Sequence, residues 1–142
     1  MMYVGFTGTA RGLKKAQSFT LAKILYKLSQ KGMTEFHHGD CIGADETAHR
    51  MVETMPGVKI IVHPPLKDDK RAFCKGDEYR EPDEYLTRNQ NIVDACHTLV
   101  ATPGEEKEVQ RSGTWATVRR ARKDKKPIWL VYPDGSEQIE MG

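Results

Sequence analysis

Ser112, Gly113 and Thr114 stand where a polar loop meets a helical pattern, with Trp115, Val118 and Ala121 recurring at three-residue spacing as its apolar stripe. Ser112 or Thr114 can cap such a helix, and Gly113 has no Cβ to hold a ligand away. The unpaired N–H groups of a first helical turn, backed by the helix dipole, favour anions, so phosphate is the expected guest. A cap on an ordinary crossover helix explains the same three residues equally well. Trp115 is a candidate for stacking on a base, although its place in the stripe favours a core role. Two further glycine turns carry similar chemistry: Thr7, Gly8, Thr9, Arg11 and Gly12, then Gly39, Asp40 and Gly43. Asp40, Asp45 and Glu46 are the nearby carboxylates. Asp45 can bond a ribose hydroxyl, act as a base if burial raises its pKa, or simply cap its own helix with His49 as partner. Asp45 and Glu46 are therefore the catalytic candidates. His37 and His38 are neighbours on a strand and point to opposite faces, so a shared ion would need a bend between them. No metal and no cofactor is expected.

The elements that must position these residues alternate. Strands are predicted over residues 3–7, 35–38, 58–63, 97–102 and 127–132. Helices are predicted over residues 13–31, where Leu21, Ile24, Leu25 and Leu28 share one face, and over 44–52, 83–96 and the segment that begins at Ser112. Pro133 and Gly135 make a turn, after which residues 136–141 either fold back as a short antiparallel strand or trail away. Residues 66–82 show almost no apolar periodicity and read as a structureless loop, inert or a lid. In the lid reading Arg71, Lys75 and Arg80 would meet phosphates and Phe73 or Tyr79 a base. Such alternation predicts an α/β, Rossmann-like three-layer sandwich: a mostly parallel five-stranded sheet in the order 3-2-1-4-5, reversing between the first and fourth strands. That order brings the glycine turns at residues 8–12 and 39–45 beside Ser112–Thr114 at one rim.

Composition sets the bounds. The chain's 142 residues fit one domain, 1–142, and 38% hydrophobic with 30% charged residues describes a soluble protein. No segment approaches the ~20 apolar residues of a membrane helix and no leader pattern is visible, so a cytoplasmic location without membrane partners is expected. The odd cysteine count, Cys41, Cys74 and Cys96, argues against a disulfide framework. Net charge is only +2. The local basic run of Arg119, Arg120, Arg122, Lys123, Lys125 and Lys126 reads as a solvated last turn rather than a nucleic-acid footprint.

Gly43-Ala-Asp-Glu-Thr-Ala-His-Arg50 resembles the G-x-D-x-x-A-H-R segment of the DNA-processing Smf/DprA proteins, and Arg88-Asn89 with Ile92 resembles their R-N-x-x-I segment. Ser112-Gly-Thr114 then falls where they carry a phosphate loop. The Lonely Guy (LOG) phosphoribohydrolases share this scaffold, and together they form the SLOG superfamily. The resemblance, over roughly residues 3–132, implies a pocket for a nucleotide or nucleotide-derived ligand. It places Gly113 and Thr114 on a phosphate, Arg88 as the charged clamp and Asn89 beside it. It also implies a homodimer or higher homo-oligomer. The Lonely Guy loop carries a catalytic glutamate where this chain has Thr117. A threonine cannot supply that acid or base. Three functions follow, in descending order: capture of a phosphorylated nucleotide-type ligand, hydrolysis of an N-glycosidic or phosphoribosyl bond through Asp45 or Glu46, and binding of single-stranded DNA.

Overall fold

The computed structural model describes residues 1–142. It begins with β1 (Met2–Gly8), whose alternate residues Val4 and Phe6 are fully buried on one face. Next comes α1 (Lys15–Gln30), whose start is braced by the Gln17 side chain accepting from Lys14 N–H and whose apolar face is Leu21, Ile24, Leu25 and Leu28. β2 (Met33–His38), α2 (Ala44–Val52) and β3 (Lys59–Val62) follow. Then come the two-residue β4 (Glu78–Tyr79), α3 (Tyr85–Ala95), β5 (Thr98–Thr102), α4 (Gly113–Lys123), β6 (Ile128–Val131) and β7 (Glu137–Glu140).

The seven strands form one sheet in the order β4-β3-β2-β1-β5-β6-β7. All pairs are parallel except β6 with β7, where the turn at residues 133–135 returns the chain. The five strands expected from the sequence occupy the expected order, and the C-terminal segment pairs rather than trailing away. Residues 66–82 are a correction. They contain β4, which pairs with β3, and backbone bridges join Cys41 to Arg71 and Pro65 to Asp83. A two-residue strand is shorter than any periodicity can register, and only the open edge of β3 supplies its partner.

Because consecutive parallel strands are joined by right-handed crossovers, the direction of winding decides which face each helix covers. α1 and α2 pack on one face over Val4, Phe6, Phe36, Ile60 and Val62. α3 and α4 lie on the other, where Val93, Leu99, Ala101, Trp115, Val118, Ile128 and Leu130 form a second core. The winding reverses between β1 and β5, so the loops leaving these adjacent strands diverge and open a crevice at the carboxyl ends. No helix is long and apolar enough to cross a membrane.

Candidate functional site

That crevice is a cavity of about 660 Å³. Thr7 and Gly8 line it from the end of β1, Thr9 and Arg11 from the β1–α1 loop, Gly39 and Asp45 from the end of β2 and the start of α2, Arg88 and Asn89 from α3, and Ser112, Gly113 and Thr114 from the start of α4. Cys41, Lys67, Asp69, Lys70, Tyr85, Leu86, Gly104, Glu105 and Arg111 complete the rim. Sequence reasoning missed these. Arg111 directly precedes Ser112, and Tyr85 lies three residues before Arg88 on one helical face, so two of them carried a local signal. Lys67 and Lys70 reach the rim only because the backbone bridge holds their loop against Cys41.

At α4 the Ser112 hydroxyl accepts from Trp115 N–H at 3.2 Å, which makes Ser112 the cap. The N–H groups of Gly113 and Thr114 precede the first intrahelical bond and keep their donor capacity. A Cβ built on Gly113 would meet nothing within 4 Å, so nothing in the protein requires glycine here. Thr114 is 7% exposed, lines the cavity and makes no side-chain hydrogen bond. Thr117 is fully buried and its hydroxyl donates to Gly113 C=O at 2.9 Å. Thr117 is therefore sealed inside the helix packing and offers no group to the cavity.

Arg88 is 7% exposed, yet every hydrogen bond it makes runs to a neutral oxygen: Nε donates to Asn89 Oδ1 at 2.8 Å, and Nη1 donates to Gly39 C=O and to His63 C=O. Its Nη2 keeps its donors. Asp45 feels the Arg88 charge but forms no ion pair with it, and a buried cation without a paired carboxylate is satisfied best by an anion arriving from solution. Gly39 makes the placement possible, since a Cβ there would lie 2.7 Å from Arg88 Cζ.

Asp45 is 5% exposed, and its Oδ2 accepts from Gly39 N–H at 3.2 Å and Cys41 N–H at 3.1 Å. It thus ties down the preceding loop rather than capping its own helix. Burial raises its pKa to about 6, with the nearby Arg88 guanidinium and the two backbone donors pulling the other way.

Several expected site residues lie elsewhere. Asp40 is fully buried behind the wall, where it accepts from Arg71 Nε at 2.6 Å and from Cys74 N–H at 2.8 Å. It anchors residues 71–74 and presents no oxygen to the cavity. Arg71 is committed to this pair and stacks over Phe73, while Arg80 pairs with Glu78 at 3.0 Å. Gly43 opens α2 with φ of 88°, and a Cβ would fall 2.5 Å from Ala10 C=O; the residue is there for the close approach of the β1–α1 loop. Trp115 is 1% exposed and belongs to the core under α4, as its spacing favoured. Glu46 lies outside the cavity wall and pairs with Arg50 at 3.0 Å. It cannot act in this crevice as placed.

Four of the five histidines form two pairs, one on each side of β2. His37 Nδ1 meets His63 Nε2 at 2.8 Å, and His37 Nε2 meets Glu35 at 2.8 Å. On the other side Asp40 N–H donates to His38 Nδ1 at 2.9 Å, and His38 Nε2 meets His49 Nδ1 at 2.9 Å. Burial holds the His38 pKa down at about 3, so the ring is neutral near pH 7. Its proton must then sit on Nε2 and be donated to His49. Ligand-type atoms of His38, His49 and Cys74 lie within 4.8 Å of one another. An ion on His38 Nε2 would drive the ring proton to Nδ1, against the Asp40 N–H, so the cluster as built is a hydrogen-bonded support for the Asp40 loop.

No family model matches the chain, and no curated protein does. Among solved structures, the molybdenum cofactor binding protein from Rippkaea orientalis is 17% identical with a TM-score of 0.69, over 92% of this chain and 76% of its own. The X-ray structure of TM1055, a structural genomics target, is 15% identical with a TM-score of 0.65, over 90% of this chain and 72% of its own. These likenesses show the fold.

Proposed function

We propose that this protein captures a phosphorylated nucleotide or nucleotide-derived ligand in the crevice between β1 and β5, as a compact member of the Smf/DprA- and Lonely Guy-like superfamily. The observation that carries the reading is Arg88: a buried guanidinium with an uncommitted nitrogen, facing the same cavity as the uncommitted donors of Gly113 and Thr114. A planar fork and a helix start are complementary to phosphate oxygens. The Rippkaea orientalis neighbour is named for binding the molybdenum cofactor, so that cofactor joins the ligands to be tried. Capture is checked by equilibrium dialysis against nucleoside monophosphates and cyclic nucleotides, followed by denaturation and identification of what is released. Arg88→Ala is expected to weaken phosphate-bearing ligands by about 1.5–3 kcal/mol, the worth of a charge-assisted hydrogen bond. Unchanged affinity would remove Arg88 from the site.

A second reading rests on Asp45, a carboxyl in the cavity wall whose pKa is raised to about 6 and which therefore exchanges a proton near neutrality. It would then serve cleavage of an N-glycosidic bond. Recovery of free base supports that reading; recovery of intact ligand leaves capture alone. Binding to DNA is disfavoured by the basic run of α4, because Arg119 and Arg122 are paired with Glu108 and Glu140, and Arg120 with Gln90. The superfamily resemblance also carries the expectation of a homo-oligomer, which sedimentation measures directly.

A further inference from the structure

Arg11, Arg88 and Arg111 all line the crevice, and the fold treats them differently. Arg11 is paired with Glu105 at 2.6 Å, and Arg88 is fixed by the carbonyls of Gly39 and His63. Arg111 is exposed and makes neither a hydrogen bond nor an ion pair. The carboxylates of its own loop are committed elsewhere: Glu105 to Arg11, and Glu108 to Arg119 and Arg122 at 2.9 and 2.8 Å, while Glu106 lies outside the cavity wall. Its place in the chain decides what the free charge meets. Arg111 stands two residues before Gly113, so their Cα atoms are at most about 7 Å apart, a span that an arginine side chain covers. Both line the same cavity, where the start of α4 offers the Gly113 and Thr114 N–H groups. Thr114 Oγ1 joins them, on a residue 7% exposed whose hydroxyl has no partner. An oxyanion seated on these donors is within reach of Arg111 by chain connectivity alone. The helix start supplies the equivalent of about half a positive charge, and Arg111 adds a whole one. A phosphate monoester carries about 1.5 to 2 negative charges near pH 7, whereas a phosphodiester carries a single one. The monoester is the better match, and it presents one more terminal oxygen to the donors.

We propose that Arg111 binds the ligand and sets its specificity: the guanidinium closes on the phosphate held at the start of α4 and makes the crevice prefer a phosphate monoester to a phosphodiester. This rests on the phosphate-capture reading and names the class of phosphate. The superfamily resemblance gives Arg88 the clamp role and gives Arg111 none. Charge around the cavity agrees. With the Arg11–Glu105 pair set aside, the four cations Lys67, Lys70, Arg88 and Arg111 stand against the two carboxyls Asp45 and Asp69, an excess of two that one dianionic monoester balances and a diester does not.

Calorimetry compares adenosine 5′-monophosphate with its phosphate methyl ester, which share base and sugar, and methyl phosphate with dimethyl phosphate, which assume neither. In each pair that binds, the monoester should bind about tenfold more tightly than the diester, the worth of one charge-assisted contact. Arg111→Gln should bring the monoester to within about twofold of the diester, because the second charge then has no partner. Thermal melting should stay at the wild-type temperature, since an exposed side chain without partners holds nothing in the fold. Equal affinity of the wild-type protein for monoester and diester overturns the proposal and leaves phosphate capture standing. So does a preference that survives Arg111→Gln, or a variant that weakens both esters to the same degree. Binding of none of the four compounds overturns both readings.

Discussion

Two buried polar regions meet at the carboxyl end of β2, and they are built on opposite principles. Around Asp40 and His38 the polar atoms are matched: carboxylate with Arg71 and Cys74 N–H, imidazole Nδ1 with Asp40 N–H, imidazole Nε2 with His49. On the cavity side, Arg88 Nη2 and the start of α4 hold donors with no acceptor in the chain. Sequence offers polar and charged residues in both places. What distinguishes them is whether the fold supplies every hydrogen-bond partner internally, and only the open region is suited to a ligand.

The contrast breaks most readily at Asp40. Asp40→Ala leaves Arg71 beside an empty buried position and frees Cys74 N–H, so urea unfolding should show a loss of about 3–5 kcal/mol. A loss below about 1 kcal/mol would show that the closed region is not a structural anchor. Asp45 lies between the two regions and responds to pH. Its folded-state pKa is raised, to about 6, so the stability it contributes is fully present below the unfolded value near 3.8 and is lost as pH rises through 6. Asp45→Asn removes this pH dependence. Relative to wild type, the variant should gain about 2–3 kcal/mol between roughly pH 3.5 and pH 7.5, read from paired denaturant melts. His38 acts in the opposite sense, because its depressed pKa makes stability fall as pH drops below about 6.5, but that slope is common to both proteins and cancels in the difference.

Smaller effects sharpen the open side. Ser112→Ala removes the cap of α4 and should cost about 1 kcal/mol in chemical denaturation. Gly113→Ala should change stability by only a few tenths of a kcal/mol, in the stabilising direction, because the new methyl meets open space and alanine favours the helix. Ligand affinity should nonetheless fall if a phosphate sits against that backbone. A Gly113→Ala protein that binds as tightly as wild type would place the anion elsewhere.

Much of this molecule was legible in its sequence, for a physical reason. Alternating helical stripes and short β-branched runs are local patterns, and right-handed crossovers leave few ways to join them. Strand order, the reversal beside β1 and the gathering of the loops at residues 7–11, 39–45 and 112–114 follow from those rules. The fate of individual polar side chains does not. Asp40 in the β2–α2 loop and Asp45 in the first turn of α2 are five residues apart, yet one is turned behind the wall by Arg71 and the other stands in it. Glycine at 43 and at 113 looks alike in the sequence. One is required by Ala10 C=O at close range and the other by nothing in the chain. β4 exists only because β3 offers an edge, and Lys67 and Lys70 reach the crevice only because the bridge at Cys41 holds their loop. Periodicity is a property of neighbours in sequence, whereas a hydrogen-bond partner is a neighbour in space. The order of strands and helices is therefore decided locally, and only the packed structure decides which donors remain free.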